Sequence, residues 1–173
     1  GDSTTYTNNI RTSTLDLSNN KTSSVWSNST NSSGWKWDYA ETGSTLTLKN
    51  MIIVGTNETE SGKGSFGIQG GKDISIVYEG VNVVCGGTSE SGDSCGIMDE
   101  VSDEAGLSLS GGGTLVALGR QAGKSRFGIQ LSNPEEEDTG SLKVISGKVI
   151  ALGGDAGESG DAGSCGLSAS KKI

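Results

Sequence analysis

Three aromatic residues, Trp35, Trp37 and Tyr39, occupy alternate positions of the segment GWKWDYAETG, with Lys36 and Asp38 between them. In an extended strand that spacing turns all three rings to one side. Such a row is either a plug over the end of a hydrophobic core or a platform on which sugar rings stack, with Lys36 and Asp38 as hydrogen-bonding neighbours. A repeated motif supplies the second set of candidates: SFGIQ (65–69), SCGIM (94–98), RFGIQ (126–130) and SCGLS (164–168). Read as strands, these turn Phe66/Ile68, Cys95/Ile97, Phe127/Ile129 and Cys165/Leu167 inward. Gly67, Gly96, Gly128 and Gly166 then form a bare outer stripe, flanked by Gln69, Gln130 and Arg126. Glycine there either permits a sharp turn or lets something flat lie against the backbone. On the second reading, Gly128→Phe leaves folding nearly intact and blocks a ligand.

The loops before these motifs carry the other candidate chemistry. Asp155, Glu158 and Asp161 place three hard oxygen ligands on a glycine-rich loop, which suits calcium, although the spacing matches neither an EF-hand nor the nonapeptide calcium repeat. The competing expectation is a ladder of exposed ion pairs, with Glu90 and Asp93 on one side of Arg120, Lys124 and Arg126 and the 155–161 acids on the other. A serine hydrolase triad is excluded because the chain has no histidine. A lyase arrangement would need Arg120 or Arg126 beside Asp155 or Asp93, and no pair of carboxylates is singled out for a glycosidase. The expectation is therefore a protein that is not an enzyme. Cys85, Cys95 and Cys165 show no CxxC spacing, and Cys95 and Cys165 lie two repeats apart, so three buried free thiols are expected.

Composition narrows the class of partner. A formal net charge of -8 argues against nucleic acid and against anionic membrane surfaces, and no apolar run is long enough to span a bilayer. The Ser/Thr/Asn-rich opening, without an initiator methionine, suggests an extracellular protein whose leader has been removed, or a piece of a larger surface protein.

The elements that position these residues are strands. Only 31% of the 173 residues are hydrophobic and 29 are glycine, yet the apolar residues cluster in short runs that recur at intervals of about thirty residues. STLTLKN, KDISIVY, GLSLSGG and SLKVISG each open a unit, and MIIVG, VNVVCGG, GTLVALG and KVIALGG follow. Three strands per unit suggest an all-β, right-handed parallel β-helix of about four to five coils with an N-terminal cap, each coil stacking on the last. The expected organisation is a tail over 1–12, an irregular capping coil over 13–43, and coils over 44–71, 72–105, 106–140 and 141–173. Alternation places Leu46/Leu48, Ile74/Ile76, Leu107/Leu109 and Leu142/Val144 in one set of inward columns. Leu115/Ala117, Val149/Ala151 and Val83/Cys85 form the other, with Asn82 outside. STLDLSN (13–19) reads as an earlier echo of STLTLKN (44–50).

The stretch from Leu15 to Leu48, with LDLS at 15–18, Gly34, Trp35, Trp37 and Asp38, and the TLTL strand at 45–48, resembles a segment of secreted Gram-positive proteins. Together with the later Gly-Ile motifs, it is similar to β-helical carbohydrate-binding-domain and adhesin-like proteins of clostridia. That resemblance implies a cell-surface module binding polysaccharide or surface glycan, in a fold shared with pectate lyases, with calcium as a possible ligand. The alternatives are an adhesion spacer acting through protein contacts and a polysaccharide lyase-like enzyme.

Overall fold

The computed structural model describes residues 9–30, 32–101, 106–133, 141–154 and 163–171. These residues form fifteen β-strands and no helix. Three short strands come first: β1 (Asn9–Arg11), β2 (Leu15–Asp16) and β3 (Gly34–Asp38). Four triplets follow: β4 (Thr45–Lys49), β5 (Met51–Val54) and β6 (Ser65–Lys72), then β7 (Ser75–Glu79), β8 (Val81–Cys85) and β9 (Ser94–Glu100). The last two are β10 (Leu107–Gly111), β11 (Thr114–Leu118) and β12 (Arg126–Asn133), then β13 (Leu142–Val144), β14 (Lys148–Leu152) and β15 (Ser164–Lys171).

The strands make three five-stranded sheets, ordered β1-β5-β8-β11-β14, β3-β4-β7-β10-β13 and β2-β6-β9-β12-β15, called here the first, second and third sheets. Every pairing is parallel except β3 with β4. From β4 onward the chain therefore visits the second, first and third sheets in rotation, and each of these strands pairs with its counterpart one repeat away. A single residue separates β4 from β5 and β7 from β8, so the turn between sheets falls on one left-handed residue, Asn50 (φ 50°) or Gly80 (φ 67°). Asparagine and glycine tolerate that conformation. The Asn50 side chain also accepts a hydrogen bond from the Val81 backbone N–H at 3.2 Å, tying one turn to the next.

The longer loops stack too. Single-residue parallel bridges join Glu58 to Ser89 and Ser89 to Ala122, and Gly123 N–H and Lys124 N–H donate to the carbonyls of Ser89 and Gly92. Buried Ser89 donates its hydroxyl to the Lys63 carbonyl and accepts from Gly92 N–H. Backbone bonds, not charges, hold these loops together. Among the described residues no ion pair joins the 90–93 loop to the 120–126 loop; the pairs that form are Lys36–Asp38, Lys49–Glu79 and Lys63–Glu60. The half of the expected ion-pair ladder between 90–93 and 120–126 is thus absent among the described residues, where the parallel backbone register already orders the loops, and its other half, with Asp155, Glu158 and Asp161, lies outside the described residues.

The core is built from registered columns: Leu46, Ile76, Leu109 and Val144 in the second sheet, Ile53, Val84, Ala117 and Ala151 in the first, Leu15, Ile68, Ile97, Ile129 and Leu167 in the third. Fully burying one such aliphatic side chain stabilises the fold by roughly 1.5–3 kcal/mol. The expected inward pair in β8 is corrected. Asn82 and Val84 are buried, whereas Val83 and Cys85 lie on the opposite face and are only half-buried. VNVVC is apolar in both phases, so alternation cannot choose between them. Asn82 takes the inward phase because its side-chain oxygen accepts from Met51 N–H at 3.0 Å while its amide donates to the Glu79 carbonyl at 2.9 Å. A buried amide satisfied in this way escapes the usual desolvation penalty.

The N-terminal segment also departs from expectation. Asn9–Arg11 is an edge strand on β5, not part of a tail. Leu15–Asp16 pairs with Ile68–Gln69 of the third sheet, so the echo between STLDLSN and STLTLKN does not reflect equivalent places. The second sheet is closed instead by antiparallel β3, whose Trp35 and Trp37 stand opposite Leu48 and Leu46.

Candidate functional site

The third sheet positions the repeated motif, and it does so with inverted faces. In β6 the buried residues are Ser65, Gly67, Ile68 and Gly70, so the two-residue period breaks between Gly67 and Ile68. The glycine stripe faces inward. An added Cβ would lie 2.5 Å from the Cys85 carbonyl oxygen at Gly67, 2.6 Å from Leu118 N at Gly96, 2.5 Å from Leu152 N at Gly128 and 2.3 Å from the Ala151 oxygen at Gly166. Glycine is required because the third sheet meets the ends of first-sheet strands backbone to backbone. The stripe is a seam between sheets and offers no outer groove.

Arg126 is likewise inside, 2% exposed, in register with buried Ser94. Its Nη2 donates to the Ala122 carbonyl at 2.7 Å, while Nε and Nη1 find no partner among the described residues. It begins β12 at the inward position that Ser65 and Ser94 fill in β6 and β9, and so it cannot flank an outer surface. Asp99 is a second buried charge carrier, in register with Leu131. Burial, followed in effect by the neighbouring Asp73 and Glu100 charges, pushes its pKa up to about 8 against the opposing hydrogen bond from Ile74 N–H. Gly70 leaves the space that this carboxyl fills.

The outward rows of the third sheet carry Phe66, Cys95, Phe127 and Cys165, in register, and beside them Gln69, Met98, Gln130 and Ser168. The alternation of ring and thiol predicted for one column is present, but on the outer face. Cys95 is nevertheless fully covered, since it lies between two phenylalanines. Burial and the nearby Asp93 raise its pKa well above the ordinary thiol value, so it stays protonated. Its Sγ donates to Gln130 Oε1 at 2.9 Å, which engages the oxygen of that amide and leaves its N–H groups as donors. Cys85 is half-buried and Cys165 exposed, which corrects the expectation of three buried thiols; Cys165 lies on the last strand of its sheet, which covers it from one side only.

A shallow cleft of about 250 Å³ runs over this face. Phe66, Met98, Gln130 and Ser132 form its floor, and the stacked loops supply Gly62, Gly64, Gly92, Asp93 and Lys124. Asp93 is fixed by a hydrogen bond from Ser125 N–H at 3.1 Å. Lys124 is exposed, and its ammonium has no partner among the described residues. Of the candidates read from sequence, Gln130 lies in this cleft and Gln69 on the same outer row, while Arg126 and the four glycines do not reach it. Asp93 and Lys124 were visible as charges, but nothing in the sequence signals that they share a cleft with Gln130 or that Cys95 orients it.

The aromatic trio is divided. Its rings do share one side, facing the core. Trp37 is 2% exposed and donates from Nε1 to the Asn20 carbonyl at 3.0 Å, so it serves the core and offers no stacking face. Trp35 is half-buried beside an open cleft of about 530 Å³, and Tyr39 lines a smaller one of about 130 Å³ near Glu41 and Lys21. Asp155, Glu158 and Asp161, the calcium candidates, lie outside the described residues. No family model, no characterised protein and no solved structure matches the chain.

Proposed function

We propose that the chain is a non-catalytic module of an extracellular or surface protein, a right-handed parallel β-helix that binds polysaccharide on the outer face of its third sheet. The rotation of the chain through three parallel sheets supports the coil reading, since a parallel strand can stack on its counterpart only after the chain has gone round. The observation that carries the binding role is the cleft of Phe66, Met98, Gln130, Ser132, Asp93 and Lys124. An aromatic ring and a thioether present apolar surface to the carbon face of a sugar, while an oriented amide, a hydroxyl and two opposite charges suit its hydroxyl groups. The backbone ladder beneath holds these groups in place before any ligand arrives, which lowers the ordering cost of binding. Stacked repeats also suit a polymer, because each coil repeats the outer positions about 4.8 Å further along.

The test is a glycan array probed with wild type and with Lys124→Ala/Gln130→Ala. Lys124 is exposed and Gln130 is half-buried with the weak Cys95 S–H donor on it, so the variant should melt only slightly below wild type. Wild type is expected to bind at least one polysaccharide class and the variant to bind it about tenfold more weakly. Equal binding by the two proteins would place the site elsewhere. Silence of wild type across the array would leave the second reading, an adhesion spacer, which is favoured by the edges of β13, β14 and β15 that pair on one side only among the described residues.

A further inference from the structure

The 530 Å³ cleft at the junction of β1, β3 and the 27–30 loop is within the size range of small-molecule sites, and it is separate from the third-sheet groove. In a chain of net charge -8, Arg11 is the one charged residue among the described residues that lines it. The Arg11 guanidinium is held by two local bonds, from Nε to the Ser13 carbonyl and from Nη2 to the Thr14 carbonyl, both 3.0 Å. It lies 5.9 Å from the Trp35 ring centroid, within cation–π range. Nη1 finds no partner among the described residues, so its two N–H groups and the second N–H of Nη2 remain beside an indole. The other wall is polar and neutral. Asn28 donates to Asn9 at 3.0 Å, and Ser29 and Thr30 stand exposed at the rim.

We propose that this cleft is a second binding site, for a hydroxylated carboxylate of the uronic acid class. The carboxylate takes the free Nη1 edge of Arg11, a charge-assisted bond of the stronger kind. The sugar body lies along Trp35, and the amides and hydroxyls of the rim meet its hydroxyl groups. The site shares with the proposed function the idea that the chain handles sugars, but none of its residues belongs to the third-sheet groove.

The experiment titrates the protein with D-glucuronate at low salt, followed by calorimetry and indole fluorescence, with D-glucose and acetate as separate probes. Glucuronate should saturate, while glucose, lacking the carboxylate, and acetate, lacking the ring, should each bind about tenfold more weakly or worse. Arg11→Gln should lose about tenfold. Because Arg11 also ties down its own loop, Thr30→Trp serves as a second variant that fills the cleft from an exposed position, and it should abolish binding with an unchanged melting temperature. Gln130→Ala should bind glucuronate as wild type does, so failure of the groove and failure of this site read out separately. Absence of saturable binding, equal affinity for glucose, or retention by both Arg11→Gln and Thr30→Trp would overturn the proposal.

Discussion

The two ends of the stacked sheets are finished in opposite ways. At one end, antiparallel β3 lies against β4 and buries Trp37 to 2% exposure over Leu46. At the other, β13, β14 and β15 pair on one side only among the described residues. Val144 continues the column of Leu109, and Leu167 continues that of Ile129, yet they are 52% and 50% exposed whereas Leu109 and Ile129 are at 0%. An aliphatic residue in one column thus has a different energetic value depending on whether a strand lies on both sides of it. In a stacked fold, stability is a sum over neighbours, and a repeat position counts fully only when it is covered twice.

The glycine seam breaks or confirms that view most severely. Gly128→Phe puts a ring into the backbone of Leu152 and Ala117, with β9 and β15 preventing β12 from moving aside. The expected result is loss of cooperative folding, measured by circular dichroism and solubility. The corresponding Gly166→Ala also meets backbone, but β15 pairs on one side only among the described residues and can shift, so that variant should fold with a lowered melting temperature. A Gly128→Phe protein that melts like wild type would mean the stripe faces outward after all.

What could be read from the sequence follows the same division. The columns through Leu46/Leu48, Ile74/Ile76 and Leu107/Leu109 were legible because TLTL, DISI and LSLS alternate apolar with polar residues in one phase, whereas in TLVAL, with Val116 and Leu118 apolar in the other phase, the inward pair Leu115/Ala117 rested on Thr114 alone. VNVVC was not, since its phase is set by two side-chain hydrogen bonds of Asn82 that no pattern announces. The faces of SFGIQ were misread for another reason. Alternation assumes an even pleat, and this strand changes face between Gly67 and Ile68, where another sheet crowds the backbone. At the candidate site, Gln130 was legible from the repeat, but its partnership with Cys95, Asp93 and Lys124 depends on which loops stack above it.

Double cover also traps Asp99, whose strand β9 lies between β6 and β12. Its folded pKa of about 8 stands above the ordinary 3.8, so the folded state keeps its proton while the unfolded state loses it. Stability should therefore be highest, as far as this group matters, below about pH 4, fall by about 1.4 kcal/mol per unit as pH rises towards 8, and level off above that. Asp99→Asn removes the ionisation and keeps a polar group for Ile74 N–H. Thermal melts of the two proteins should agree near pH 4 and separate in favour of Asn at pH 8, by at most about 5 kcal/mol. Asp73 and Glu100, the charged groups acting on Asp99, are already part of that shift and widen the pH window without steepening the slope. Parallel curves for the two proteins would mean that the carboxyl is solvated and the strand not covered as described.

The smallest contrast is also the cleanest, because it uses one column. Leu109→Ala empties space covered on both sides by Ile76 and Val144 positions and should cost about 2–5 kcal/mol in urea unfolding. Val144→Ala removes two methyl groups that are already half in water, one step along the same column, and should cost less than about 1 kcal/mol. The ratio between these two values measures how much of the stack's stability comes from the second neighbour. If Val144→Ala costs as much as Leu109→Ala, the last strands are covered in solution by something that pairs with their free edges, and the asymmetry between the two ends disappears.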